Sequence, residues 1–320
     1  MGHQNFIKHL RFSSENEWLN KSNIDLLSSI AVSNPEFVLE KLRPLAFQSE
    51  ENDNKIYSAL CYDARDDSDE MFKFRLELLE KHPIFVNRMW SLNELIIQNS
   101  PRVIDVIEAL IRGGYTEKKN NTYWGSKEEL KKYAFDNSQT IINRILPLIH
   151  NIAPEYPNRP NIIYLNRHDV WLNHDNNDSF ARMIVDLLKD ACCKCAISNS
   201  DEFMLLAKKT TYPIPTVENE ILIYGLLFLP NKYSTDVITW LIAEFDYKIF
   251  VQTYNPDDYL AYTKDLIRKY SENCEVSIFT ELENKILKWN EGTVEMINHF
   301  KRRFDDEGNF IYSNSKQFCG

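Results

Sequence analysis

Val217-Glu-Asn-Glu-Ile-Leu-Ile-Tyr-Gly-Leu-Leu-Phe-Leu229, then Pro230-Asn-Lys-Tyr-Ser-Thr-Asp236, then Val237-Ile-Thr-Trp-Leu-Ile-Ala-Glu-Phe245 is the stretch on which the fold turns. From Ile221 to Leu229 every residue except Gly225 is apolar. A helix built from it has no solvent face and must be covered on both sides. The run is too short to cross a bilayer, which takes ~20 residues. Further on, Val237, Leu241, Ile242 and Phe245 recur at helical spacing and make one apolar stripe. Pro230 and Asn231 end the first helix, and Ser234 or Thr235 is placed to N-cap the second. The expected product is an antiparallel helical hairpin with one interior member, flanked on either side by further hairpins.

Working outward towards the N-terminus, Ser179 to Ala196 aligns Ile184, Leu188, Ala191 and Cys195 on one face, and Asp201 to Lys209 follows. Earlier, Ser22–Val32 reads as a helix ended by Ser33-Asn34-Pro35, with Asn34 capping and Pro35 opening the next. That next helix turns Phe37, Val38, Leu42 and Leu45 inward, and Pro44 bends or ends it. Lys55–Tyr62, Met71–Lys81, Ile84–Gln98 and the segment holding Val103, Ile107, Leu110 and Ile111 continue the series. Gly113-Gly114 stops the last of these. Ser126-Lys127-Glu128-Glu129 is a capping box, and Gln139–Asn151 is a helix kinked at Pro147. Asn34-Pro35 and Ser100-Pro101 both set a capping residue and a proline between consecutive amphipathic helices, the grammar of helix pairs, although no fixed period is visible.

Towards the C-terminus, a helix after Asn255-Pro256 aligns Tyr259, Tyr262, Leu266 and Tyr270. Ser277–Trp289 and Val294–Phe304 read as two further helices. Three prolines between Ala153 and Pro160 mark a linker. The expected division is therefore a helical half over 1–152, a Pro-rich linker and irregular insertion over 153–178, and a second helical half over 179–320. Near 161–178 the short runs Ile162–Leu165 and Val170–Leu172 leave a small β-hairpin or irregular turns open.

Composition excludes several classes. The chain has 8 glycines in 320 residues, against a usual share of ~7%. It contains no Gly-x-Gly-x-x-Gly and no Walker-type loop, so phosphate cradles are not encoded. A net charge of -10 disfavours a nucleic-acid partner, which normally demands a basic excess. Basic clusters (Lys118-Lys119, Lys127, Lys131-Lys132, Lys301-Arg302-Arg303) read as solvated helix faces, with a nucleic-acid-binding helical repeat protein that holds the backbone in a basic groove as the alternative. The 6 cysteines show no framework spacing, and Met1–Leu10 lacks the apolar core of a signal peptide. Reduced thiols, a cytoplasmic location and no membrane association are expected.

Few residues suggest chemistry. His168-Asp169 and His174-Asp175 pair imidazoles with carboxylates around Trp171, the ingredients of an open metal site. Their spacing of six fits a helix poorly, since helical metal pairs prefer i, i+4. A polar loop is the competing reading, so these four are weak metal candidates, with no cofactor expected. A metal-dependent hydrolase would have to be built on them. Cys192-Cys193-Lys194-Cys195 lacks the second ligand pair of a zinc ribbon and instead continues the Leu188 stripe as core. Asp63, Asp66, Asp67, Asp69 and Glu70 read as a solvated link favouring the next helix N-terminus. His82 and His150 sit at helix ends, and several tyrosines (123, 212, 233, 247, 254, 262) lie near helix ends or loops, where contact sites favour them. No catalytic residue is assigned and no enzyme is expected.

The Pro- and Asn-punctuated helix pairs over residues 22–304 resemble HEAT-like α-solenoids. Thr235–Lys316, whose short helices end in Trp289-Asn290-Glu291-Gly292 and Lys301-Arg302-Arg303-Phe304, is similar to the helical sensor regions of bacterial STAND-type defence NTPases, although the NTPase motifs themselves are missing. The first resemblance implies an all-α stack of antiparallel helix pairs serving as a scaffold for protein–protein interaction. The second implies an accessory portion of an antiviral defence assembly. A protein partner, or further domains of a larger polypeptide, would lie along the exposed face and cover the end at Gln317–Gly320.

Overall fold

The computed structural model describes residues 19–60, 62–89, 91–115, 124–149, 180–210, 216–248 and 261–301, with side chains except those of 216, 246, 247, 261 and 289–301. Every regular element is helical, and no strand occurs among the described residues. The segment 161–178, which reads as a β-hairpin or irregular turns, lies outside them. Two compact units divide at α9 (Phe180–Ser198), between Ala191 and Cys192.

The first unit holds α1 (Lys21–Ile30), α2 (Pro35–Leu42), α3 (Glu50–Ala59), α4 (Asp69–Lys81) and α5 (Leu92–Ile97). It continues with α6 (Arg102–Arg112), α7 (Lys127–Asp136), α8 (Ser138–Ile145) and the start of α9. Helices pack mainly on the next but one: α1 on α3, α2 on α4, α4 on α6, α5 on α7, and α6 on α8. The pattern follows from amphipathicity. In α6, Val103, Ile104, Val106, Ile107, Ala109, Leu110 and Ile111 are all buried, a stripe wide enough to meet α4 on one side and α8 on the other. Phe74, Leu78, Ile142 and Ile145 are among the buried residues of those neighbours.

Capping chemistry places several of the starts and stops. Ser49, missed as a start signal, accepts from Asn52 N and begins α3 five residues before the expected Lys55. Ser68 accepts from Met71 N to open α4. Asn34 stands at the N-cap of α2 with Pro35 behind it but makes no side-chain cap bond. Gly114 (φ +71) closes α6: Tyr115 N donates to Leu110 O and Gly114 N to Ile111 O, the paired bonds of a Schellman end. Asn99 (φ 56) does the same for α5, with Ser100 N donating to Leu95 O.

The expected helix over 84–98 is broken. Pro83–Arg88 is a 3-10 segment, and α5 starts only at Leu92. Between them Ser91 is buried, and its Oγ accepts from the distant Ala64 N at 2.9 Å. Phe85, Met89, Leu92 and Ile96 still all face inward. At α7 the capping box is complete, Ser126 Oγ accepting from Glu129 N and Glu129 Oε2 accepting from Ser126 N at 2.6 Å. Ser126→Ala should lower stability by ~1 kcal/mol; an unchanged midpoint in urea would show the box to be ornamental.

The second unit contains the remainder of α9 with α10 (Ser200–Lys209), α11 (Thr216–Leu226), α12 (Ser234–Ile242), α13 (Phe245–Lys248), α14 (Ala261–Tyr270) and α15 (Val276–Lys301). The apolar run is interior only in part: Ile221, Leu222, Ile223, Leu226 and Leu229 are fully buried, but Tyr224 and Leu227 are half-buried, Phe228 is exposed, and the helix ends at Leu226. Val237, Leu241, Ile242 and Phe245 are buried together. Both α11 and α12 pack on α14, and α12 also meets α10, α13 and α15. Neither Ser234 nor Thr235 caps α12. A 3-10 turn over Asn231–Tyr233 precedes it, Ser234 Oγ donates back to Asn231 O, and Thr235 Oγ1 accepts from Glu275 N. The two helices expected between Ser277 and Phe304 form a single one, α15, which runs through Gly292. An interior glycine costs a helix only ~1 kcal/mol, so it slows rather than stops it.

Candidate functional site

Among the described residues, several polar side chains act at the ends of helices. The last four carbonyls of a helix have no partner within it, and glycine-based ends are one common solution. With 8 glycines in the chain, long side chains from a neighbouring element supply another. Trp240 Nε1 donates to Ala207 O of α10, and Lys269 Nζ donates to Leu227 O and Leu229 O. The Tyr270 hydroxyl lies 2.6 Å from Leu226 O and 2.8 Å from Leu229 O, closing α11. In the first unit Tyr133 donates to Ser100 O, and Arg75 and Arg102 do the same for the link after α3.

That link corrects one expectation. The acidic segment 63–70 is not simply solvated. Asp67 is buried and takes both ends of the Arg75 guanidinium, Nε to Oδ2 at 2.9 Å and Nη2 to Oδ1 at 3.1 Å. The two side chains are 1% and 0% exposed. Arg75 also donates to Leu60 O at 2.6 Å and lies over the Tyr62 ring. Burial, then the nearby Asp67 charge, holds the Tyr62 hydroxyl well above the usual phenol range. Arg102 binds the outer side of the same link, through Ala64 O, Asp67 O and Asp69 Oδ1. Asp66, exposed in the link, and Asp69 and Glu70, exposed in the first turn of α4, behave as read from the sequence. The buried Asp67 is held by Arg75 and its backbone by Arg102, so this part of the link organises the fold.

His82 stands at the C-cap of α4, as expected. Its Nε2 is also 2.7 Å from the buried carboxylate of Asp53, which accepts from Phe47 N at 2.6 Å and holds Phe47 at φ 66. The sequence placed His82 but not this partner, which lies 29 residues away.

In the second unit the described surface holds a cleft of about 480 Å³, lined by Ala207, Lys208, Thr210, Thr239, Trp240, Ala243, Glu244 and Lys248. It forms where α10, α12 and α13 end near one another. Lys248 is buried in its wall, its Nζ donating to Trp240 O at 2.5 Å and Ala243 O at 2.7 Å and standing 4.2 Å from the Trp240 ring centroid. Asn219 of α11 donates to Lys248 O and anchors that residue's backbone. Glu244, at φ 59, makes the turn that brings α13 back under α12. Burial lowers the Lys248 amine to about 8, with the Glu244 carboxylate pulling the other way. Lys208 at the rim pairs with Asp236. No motif pointed to this site, because it is assembled from helix ends rather than from a helix face.

The weak metal candidates His168, Asp169, His174 and Asp175 lie outside the described residues. Among the described residues no group of three or more His, Cys, Asp or Glu is arranged to hold a metal. Cys192, Cys193 and Cys195 are buried, and burial raises the Cys195 thiol to about 11 and the Cys192 thiol further, as befits core positions. Of the tyrosines offered as contact residues, Tyr233 is buried with its hydroxyl on Asp201, and Tyr262 packs half-buried against Tyr224. Lys127, Lys131 and Lys132 are exposed, and Lys118, Lys119, Arg302 and Arg303 lie outside the described residues. Among the described residues no helix is long and apolar enough to cross a membrane. The chain matches no protein-family model, no curated protein and no solved structure.

Proposed function

We propose that the chain is a non-enzymatic α-helical repeat module, a stack of antiparallel helix pairs that holds a protein partner or further domains of a larger polypeptide. The observation that carries this is the next-but-one packing of the first unit, where α2, α4, α6 and α8 follow one another and α1 with α3, and α5 with α7, pair separately. Stacked pairs repeat that relation, since each helix meets its counterpart in the following pair. Such stacks leave extended faces, and proteins or peptides are their usual ligands. Exposed apolar side chains support the reading: Val32 (51%), Ile84 (52%) and Ile97 (53%) all stand at or near helix ends of the first unit. A scaffold or sensor role in a bacterial defence assembly extends the proposal, on the resemblance of the C-terminal helices alone.

The test is affinity capture from the native host with the intact chain, read by mass spectrometry, in parallel with Ile84→Glu and Ile97→Glu. A single protein retained by wild type and reduced at least tenfold by either substitution, with helical circular dichroism unchanged, supports the proposal. Failure to retain any protein at micromolar bait, or retention indifferent to both substitutions, removes it.

A further inference from the structure

The cleft at the end of α12 carries chemistry that a contact scaffold does not need. Its volume, about 480 Å³, falls within the range of small-molecule sites. One wall is the indole of Trp240, fixed by its donation to Ala207 O. Beside the indole is a primary amine whose Nζ is held by two carbonyls 2.5 and 2.7 Å away. Lys81 donates to Phe47 O from the surface, and Lys269 donates to Leu227 O and Leu229 O from a half-buried position. Here the amine is buried in the wall of a cavity, and Asn219 fixes the backbone that carries it.

We propose that this cleft is a ligand site for small carbonyl compounds, with Lys248 Nζ as the amine that captures them. The neutral amine adds to the carbonyl carbon through its lone pair, and the carbinolamine so formed loses water. The net change converts ammonium and aldehyde into a protonated imine and one water, so neither an oxidant nor a reductant is required. The Trp240 face accommodates the apolar part of the captured molecule. The exposed Thr239 offers a hydroxyl to its polar groups, and Thr210, whose hydroxyl donates to Leu206 O, can accept from them. The low basicity that burial confers supports the step: at pH 7 an amine of pKa about 8 is neutral roughly 300-fold more often than one of 10.5. Among the described residues that line the cleft, the other cation is Lys208, which pairs with Asp236, and the carboxylate is that of Glu244. The inference concerns the second unit and stands apart from the partner-binding proposal, which rests on the first.

The experiment treats the intact chain with limiting formaldehyde and cyanoborohydride over pH 6 to 10 and maps methylation by peptide mass spectrometry. Lys248 should react at least tenfold faster than the exposed Lys55 and Lys208 at pH 7, with a half-point near 8. A Lys248 that reacts more slowly than those two, or only after unfolding, overturns the proposal and leaves a helix-end cap. Thr239→Trp, at an exposed lining position, provides the second arm. It should slow reductive capture of the bulkier pyridoxal 5′-phosphate at Lys248 at least tenfold while leaving the formaldehyde rate within twofold. Unchanged capture of the larger aldehyde shows that the cleft is not the route and equally ends the inference.

Discussion

Asp67→Ala is expected to destabilise the first unit by about 3–5 kcal/mol. The guanidinium of Arg75 is 1% exposed and gives two of its hydrogen bonds to this one carboxylate. Removing the acid leaves a cation deprived of both bonds in a place water does not reach. The remaining acceptor, Leu60 O, satisfies one N–H only. Arg75→Met should cost a similar amount, because it strands the buried carboxylate and releases Leu60 O. Replacing both, as Asp67→Leu with Arg75→Met, should recover most of the loss, since a buried pair exchanged for apolar groups of like volume is often neutral. Urea unfolding of the three variants closes the cycle. If either single variant unfolds within 1 kcal/mol of wild type, the pair is not the anchor of the link between α3 and α4.

This link also shows where reading the sequence stopped. Residues 63–70 look alike as letters, five acids in a row of eight, and no periodicity separates them. What separates Asp67 from Asp69 is the position of Arg75 two turns along α4 and of Arg102 at the start of α6, a relation set by packing. Apolar stripes behave differently. The positions read as inward in α6 (Val103, Ile107, Leu110 and Ile111) and in α12 (Val237, Leu241 and Ile242) are all buried, because burial of a helix face imposes its own spacing on the sequence, while Ile104, Val106, Ala109, Ile238 and Trp240 widen those stripes beyond that reading. Boundaries governed by local caps were legible in part, as Ser126 was, and boundaries governed by distant partners were not. Ser91, which gives up a helical start to bind Ala64 N, is one such case. The cleft is another. It draws on Ala207, Trp240 and Lys248, whose nearness depends on where three helices end, and helix ends are the least predictable feature of a chain.

Gly225→Ala is expected to destabilise the second unit by ~2 kcal/mol, against the usual direction for an interior helical position. At an exposed site the same change would help, since Ala exceeds Gly in helix propensity by ~1 kcal/mol. Here the backbone of α11 passes so close to its neighbours that a Cβ would lie 2.3 Å from Phe203 Cζ and 2.9 Å from Cys192 Cβ. Both residues are fully buried, so neither has free space in which to yield. The glycine in the otherwise apolar run is thus a packing residue that lets the interior helix approach α9 and α10. The sharpest check is coupling. Phe203→Leu in the wild-type background removes ring atoms from a filled core and should cost a further 1–3 kcal/mol. In the Gly225→Ala background it relieves the nearest clash, so the double variant should be more stable than the sum of the two losses by at least 1 kcal/mol. Additive losses, or a Gly225→Ala chain whose urea midpoint rises, would mean that α11 does not sit in the tight interior seat its sequence demands.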